Sequence, residues 1–132
     1  ASDVYKRQAY HEAGGFDPDF FAHMEEIDLC WRMKRLGYKI MYCPKSTVYH
    51  MGGATLDYNN PFKLYLNCQN NLAMLVKNLH PAELAWKLPF RFLVDWIAAF
   101  YFLVTKGPAS FFSLLKAQFH FAIQFKKWWK KI

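Results

Sequence analysis

Gly14-Gly15-Phe16-Asp17-Pro18-Asp19-Phe20-Phe21, followed after three residues by Glu25-Glu26-Ile27-Asp28-Leu29-Cys30-Trp31-Arg32, is the stretch on which the reading of this chain turns. The glycine pair closes a helix that ends near Phe16, because glycine reaches positive φ without a Cβ clash. Asp17-Pro18-Asp19 has turn chemistry: proline presets φ, and the aspartates can accept from nearby backbone N–H groups. A helix is expected from about Met24 to Leu36. Glu25, Glu26 and Asp28 occupy its first turn, where the helix dipole favours anions, and Arg32, Lys34 and Arg35 its last. Taken alone, the acidic cluster is a solvated helix start with an Asp28–Arg32 pair at i,i+4 spacing. Gly37 ends the helix.

Downstream, Tyr38 to Cys43 reads as a short strand closed by Pro44, and Thr47-Val48-Tyr49-His50 as a second β-prone run stopped by Gly52-Gly53. His50 is either an ordinary strand-end histidine or, with glycines that let a ligand approach, a metal ligand. Pro61 to Asn78 returns to helical periodicity, with Pro61 at a first helical position and His80-Pro81 as the break. Leu84 to Val104 is the most apolar region, interrupted by Lys87, Pro89, Arg91 and Asp95. Its cleanest piece, Trp96 to Val104, is nine residues, about 14 Å of helix against a hydrocarbon core of ~30 Å. Gly107-Pro108 makes a turn, and Phe111 to Lys131 forms a second helix ending in a lysine-rich run. Two amphipathic helices, either lying in a membrane interface or packed on the rest of the domain, are therefore expected rather than a span.

The 132 residues suffice for one ordinary domain, and 54% apolar content excludes general disorder. Three cysteines (Cys30, Cys43, Cys68) without C-x-x-C spacing exclude a disulfide scaffold and argue against structural zinc. The charge is lopsided. Residues 1–66 hold 8 Lys/Arg against 8 Asp/Glu, whereas residues 67–132 hold 9 against 2, so the net +7 belongs to the aromatic-rich half. Such a segment suits an anionic membrane surface. Its cations are spread among fully apolar stretches, which argues against nucleic acid as a partner.

Three parts are expected. Residues 1–8 resemble one reading frame of the mosaic-end adapter of transposon sequencing libraries, so native sequence would begin near Ala9. Residues 9–80 form a catalytic-domain segment, and residues 81–132 a helical, membrane-associated extension.

With Gly37-Tyr38, Val48-Tyr49-His50 and Gly52-Gly53 added, the opening stretch resembles the C-terminal part of family 2 glycosyltransferases. The likeness is nearest to bacterial enzymes of the rhamnosyltransferase-like kind that build surface polysaccharides. It implies an α/β fold, the acceptor-side half of a GT-A architecture with a C-terminal amphipathic helical extension. It also implies an upstream donor-binding half carrying an Asp-x-Asp motif; Asp17-Pro18-Asp19 is read as structural instead. The implied reaction is an inverting transfer from a nucleotide-sugar donor to a hydroxyl of a glycan or lipid-linked acceptor. It would take place at the inner face of the bacterial cytoplasmic membrane, with peripheral membrane contact.

An alcohol is a poor nucleophile at neutral pH, so a carboxylate must take its proton. The resemblance places the general base at Glu26, where relatives carry Asp, with Glu25 and Asp28 in support. It makes His50 a ligand of a divalent metal, Mg²⁺ or Mn²⁺, and allows Trp31, Arg32 and Tyr49 a share in substrate binding. Gln69 stands where relatives often carry Arg, so no phosphate contact is assigned there.

Overall fold

The computed structural model describes residues 2–41, 44, 45, 47, 49 and 60–131, with side chains from Arg7 onward. The chain divides into two compact units, Ala1–Ala54 and Thr55–Ile132. Among the described residues every regular element is helical: α1 (Ser2–Glu12), a 3₁₀ turn (Pro18–Phe20), α2 (Glu25–Arg35), α3 (Pro61–Asn78), α4 (Pro81–Lys106) and α5 (Pro108–Trp129).

This overturns the α/β expectation and, with it, the GT-A half for this chain. A strand exists only when a neighbour completes its hydrogen-bond ladder, and β-prone residues alone do not supply one. The Tyr38 amide donates to the Met33 carbonyl at 3.0 Å as part of the closure of α2. Lys39, Ile40 and Met41 then continue without regular structure. Tyr42 and Cys43, like Val48 and His50 of the second run, lie outside the described residues. Thr47 and Tyr49 are not in a strand, and Tyr49 is 96% exposed.

In the first unit both helices end the same way. Gly15 N donates to Tyr10 O and Gly14 N to His11 O, both at 2.9 Å, with Gly14 at φ +79°. That six-to-one, five-to-two pattern is a Schellman closure, which satisfies carbonyls a helix end otherwise leaves unpaired. Gly37 N to Lys34 O and Tyr38 N to Met33 O repeat it after α2. The Tyr38 hydroxyl donates to the Glu12 carboxylate, and this bond holds the phenol above its ordinary pKa.

The second unit is an up-down-up arrangement of three helices. Each starts with proline at its first position, where the missing N–H costs nothing. Asn60 Oδ1 caps α3 by accepting from Phe62 N at 2.9 Å, and His80 Nδ1 caps α4 by accepting from Ala82 N at 3.3 Å. Gly107 alone joins α4 to α5, at φ 89° and ψ 176°, a region essentially restricted to glycine. α3 and α5 run parallel, with Tyr65 facing His120 (2.8 Å) and Gln69 facing Gln124 (3.4 Å). On α5 the buried Ser110, Leu114, Ala117, Phe121 and Trp128 recur at steps of three, four and seven residues, forming one stripe. Leu66, Leu72, Ala73 and Val76 of α3 are likewise buried.

α4 is one unbroken helix of 26 residues running through Pro89, Arg91 and Asp95, a few residues longer at each end than the Leu84 to Val104 region read from sequence. Arg91 Nη2 and Asp95 Oδ1 pair at 2.7 Å, so the two charges that interrupt the apolar run neutralise each other one turn apart. By length and composition α4 could cross a membrane.

Candidate functional site

Chemistry in the first unit gathers at the start of α2, and the approach to it is strained. Asp17 Oδ1 accepts from Asp19 N at 3.1 Å, opening the 3₁₀ turn whose Phe20 is fully buried. Phe21 then sits at φ 60° and ψ −60°, and Ala22 N donates to Phe20 O at 2.7 Å. That is a γ-turn of the rare, strained hand. His23 and Met24 follow at φ 68° and 74°. These three residues, Phe21, His23 and Met24, carry side chains at positive φ, which costs of order 1 kcal/mol or more each. Met24 gives α2 no side-chain cap, so its first amides face forward without a side-chain acceptor.

Glu25, Glu26 and Asp28 follow at once, and the structure separates them. Asp28 is fully buried, and its Oδ2 accepts from Arg32 Nε at 2.9 Å and lies 2.8 Å from Nη2. Arg32 reaches on to the end of α1, where Nη2 donates to Gly15 O at 2.6 Å and Nη1 donates to Ala13 O. The pair thus clamps two helices together, and the guanidinium is occupied on several sides. Glu25 is half-buried, with Oε2 shielded from solvent and without a hydrogen-bond partner. Glu26 is exposed. A free, solvent-facing carboxylate at a helix start can accept a proton from an incoming hydroxyl, whereas one locked to an arginine cannot do so readily.

Beyond Glu26, the same helix borders an open cleft of about 510 Å³ lined by Ile27, Cys30, Trp31, Lys34, Arg35 and Ile40. Glu26 stands four residues before Cys30 and so one turn from that lining. The cleft puts one aromatic face and two cations side by side. Sequence reasoning took Lys34 and Arg35 only as helix-end charges. The Ile27, Cys30, Trp31, Lys34 spacing of one helix face was the available signal.

Of the other sequence-derived residues, Tyr49 is fully exposed and His50 lies outside the described residues. Among the described residues no group of three or more His, Cys, Asp or Glu could hold a metal ion. The second unit holds a cluster the sequence reading did not single out: the Cys68 thiol faces Asp95 Oδ2 at 3.5 Å, beside the Arg91 pair. Burial raises that thiol far above its ordinary pKa, and the Asp95 carboxylate adds to the shift while Arg91 opposes it.

With this geometry in place, comparison with known proteins points to one class of enzyme: part of the chain resembles a glycosyltransferase. Over 47 residues, 36% of the chain, the sequence is 38% identical to N-acetylglucosaminyl-diphospho-decaprenol L-rhamnosyltransferase of Mycobacterium tuberculosis, equally in two strains. The match spans 15% of that enzyme's length. No family model matches the chain, and no solved structure matches it.

Proposed function

We propose that this chain is part of an inverting glycosyltransferase of the family 2, rhamnosyltransferase-like kind. It would move a sugar from a nucleotide-sugar donor to a hydroxyl of a glycan or lipid-linked acceptor during surface polysaccharide synthesis. The observation that carries the reading is the 47-residue likeness to a rhamnosyltransferase. The exposed Glu26 at the uncapped start of α2, beside a cleft with Trp31, Lys34 and Arg35, is consistent with it.

In the proposed reaction the acceptor oxygen attacks the anomeric carbon from the face opposite the nucleoside diphosphate. The new C–O bond forms as the bond to the diphosphate breaks, and the hydroxyl proton passes to Glu26. The departing diphosphate carries away the bonding electron pair. Glu25 supplies a second carboxylate beside the base. Asp28 acts by fixing α2 through Arg32, and Trp31 offers an apolar face to a sugar ring. His50 is proposed as one ligand of a divalent cation, Mg²⁺ or Mn²⁺, which when bound would offset charge on the diphosphate. The described residues do not supply a ligand set, so the steps drawn for Glu26 do not pass through the ion.

The test is turnover of nucleotide-sugar donors by the enzyme containing this segment, with and without Glu26→Gln. A second reading, a membrane-surface module without catalysis at the cytoplasmic face, is favoured by the apolar outer side of α4. Vesicle binding without turnover of any nucleotide-sugar donor would support it over the first.

A further inference from the structure

Trp86, Phe90, Leu93, Ile97, Phe100 and Val104 of α4 are each more than half exposed, Phe100 at 55% and Val104 at 86%. They recur at four- and three-residue steps, so they share one face of the helix. Exposed apolar neighbours such as Val94, Trp96 and Leu103 widen that face to about half the circumference at 100° per residue. Between Trp86 and Val104 the charged residues are Lys87, Arg91 and Asp95, and the helical period places all three on the other side. The face is about 27 Å long, against a hydrocarbon core of ~30 Å. An apolar face of this extent is not left in water.

The two ends of the α4–α5 pair differ in charge. The helices run antiparallel, as the Phe92–Phe121 and Phe100–Phe111 ring contacts at 6.0 and 5.7 Å show. The C-terminus of α5 therefore lies beside the N-terminus of α4, and Phe125 and Trp129 line a groove there with Pro81, Leu84 and Leu88. Lys126 and Lys130 flank Phe125 and Trp129 in an adjoining groove of about 270 Å³. Lys127 and Lys131 add to this end, where Lys87 is neutralised by Glu83 at 2.6 Å, whereas the Gly107 half has Lys106, its Nζ 4.9 Å from the Phe102 ring, and Lys116, its Nζ 5.7 Å from the Tyr65 ring. Exposed tryptophan (Trp86, Trp129) accompanies the cationic end. Tryptophan and lysine belong at the headgroup layer, where an apolar body meets anionic phosphate.

We infer that the α4–α5 hairpin is seated in an anionic lipid bilayer, Gly107 end first, with the outer face of α4 against acyl chains and the Lys126–Lys131 end at the phosphates. This rests on the membrane association expected of residues 81–132 and replaces a helix lying on the surface with one that enters it. The long apolar face fits the hydrocarbon, and the lysine–tryptophan end fits the headgroups.

The experiment uses the full chain with Cys30 and Cys43 replaced by serine. One environment-sensitive label is placed at Ala82→Cys and, separately, one at Ile97→Cys, some 22 Å apart along the helix. On vesicles containing phosphatidylglycerol, the Ile97 label should shift to the blue and resist aqueous iodide, while the Ala82 label stays accessible. Ile97→Glu, on the exposed face, should lower vesicle partitioning by about tenfold or more with helicity unchanged by circular dichroism. Should Ile97→Glu fail to fold, the label pair still decides. Binding with both labels open to iodide would overturn insertion and leave peripheral contact standing. Failure to bind would overturn both. Shielding of the Ile97 label in vesicle-free buffer, with a doubled mass in ultracentrifugation, would show a second copy on this face and likewise overturn the proposal. None of these outcomes bears on the transferase reading, which turnover by the Glu26 variants decides.

Discussion

The buried Asp28 and the part-buried Arg32 form a relay between two helices: one carboxylate oxygen takes both Nε and Nη2, and the same guanidinium reaches the carbonyls of Ala13 and Gly15. Arg32 thereby satisfies acceptors at the end of α1 that the Schellman closure leaves open. Its charge is tolerable inside because Asp28 neutralises it, and each partner strands the other if removed.

Asp28→Asn should therefore cost about 2 kcal/mol in the stability of the first unit, since it leaves the part-buried guanidinium without its counter-charge. Hydrogen exchange resolved by peptide should rise across both 13–16 and 25–35. Exchange confined to α2 would show that Arg32 does not hold the end of α1.

Glu26→Gln keeps shape and hydrogen bonding but cannot accept a proton. In the enzyme containing this segment, kcat should fall by about 10²–10⁴-fold with donor affinity little changed. Glu25→Gln should have a smaller effect. A collapse of kcat on Glu25→Gln with Glu26→Gln near normal would move the base by one position.

Met24 holds a left-handed conformation at φ 74° as the residue before α2. Met24→Gly relieves the Cβ clash, adds a favoured N-cap residue and loses some chain entropy, for a net gain of about 0.5–1 kcal/mol. A higher midpoint in urea checks it. A loss would mean the Met24 side chain contributes more than its backbone strain costs.

Cys30 is half-buried, whereas Cys68 is buried with its thiol pushed far up by burial and by Asp95. Only thiolate reacts with iodoacetamide. At pH 8 the Cys30 peptide should be alkylated first and Cys68 should react only on denaturation; mass spectrometry of a Cys43→Ser variant reads the two directly.

Much of the helical skeleton was legible in the chain because its punctuation is local. Asn60-Pro61 and His80-Pro81 bracket α3, and the anion-to-cation gradient from Glu25 to Arg35 marks α2. What failed was non-local. Tyr38 to Cys43 has the composition of a strand, but a ladder needs a second chain segment, and composition cannot provide it. In the Leu84 to Val104 region, Arg91 and Asp95 were each counted as an interruption of the apolar run, when the two cancel each other one turn apart. At the site, the acidic triplet was visible, yet its division into the buried Asp28, half-buried Glu25 and exposed Glu26 follows from where Arg32 finds its carbonyls.

Gly107 has a consequence for the order in which the second unit assembles. One residue separates helices of 26 and 22 residues, so the α4–α5 contacts nearest it are among the most local in the chain. Closing so short a loop costs little chain entropy, and pairing can zip outward from Phe100–Phe111 toward the lysine-rich end. A side chain at 107 would disfavour the one backbone conformation that starts this sequence, slowing refolding more than it speeds unfolding.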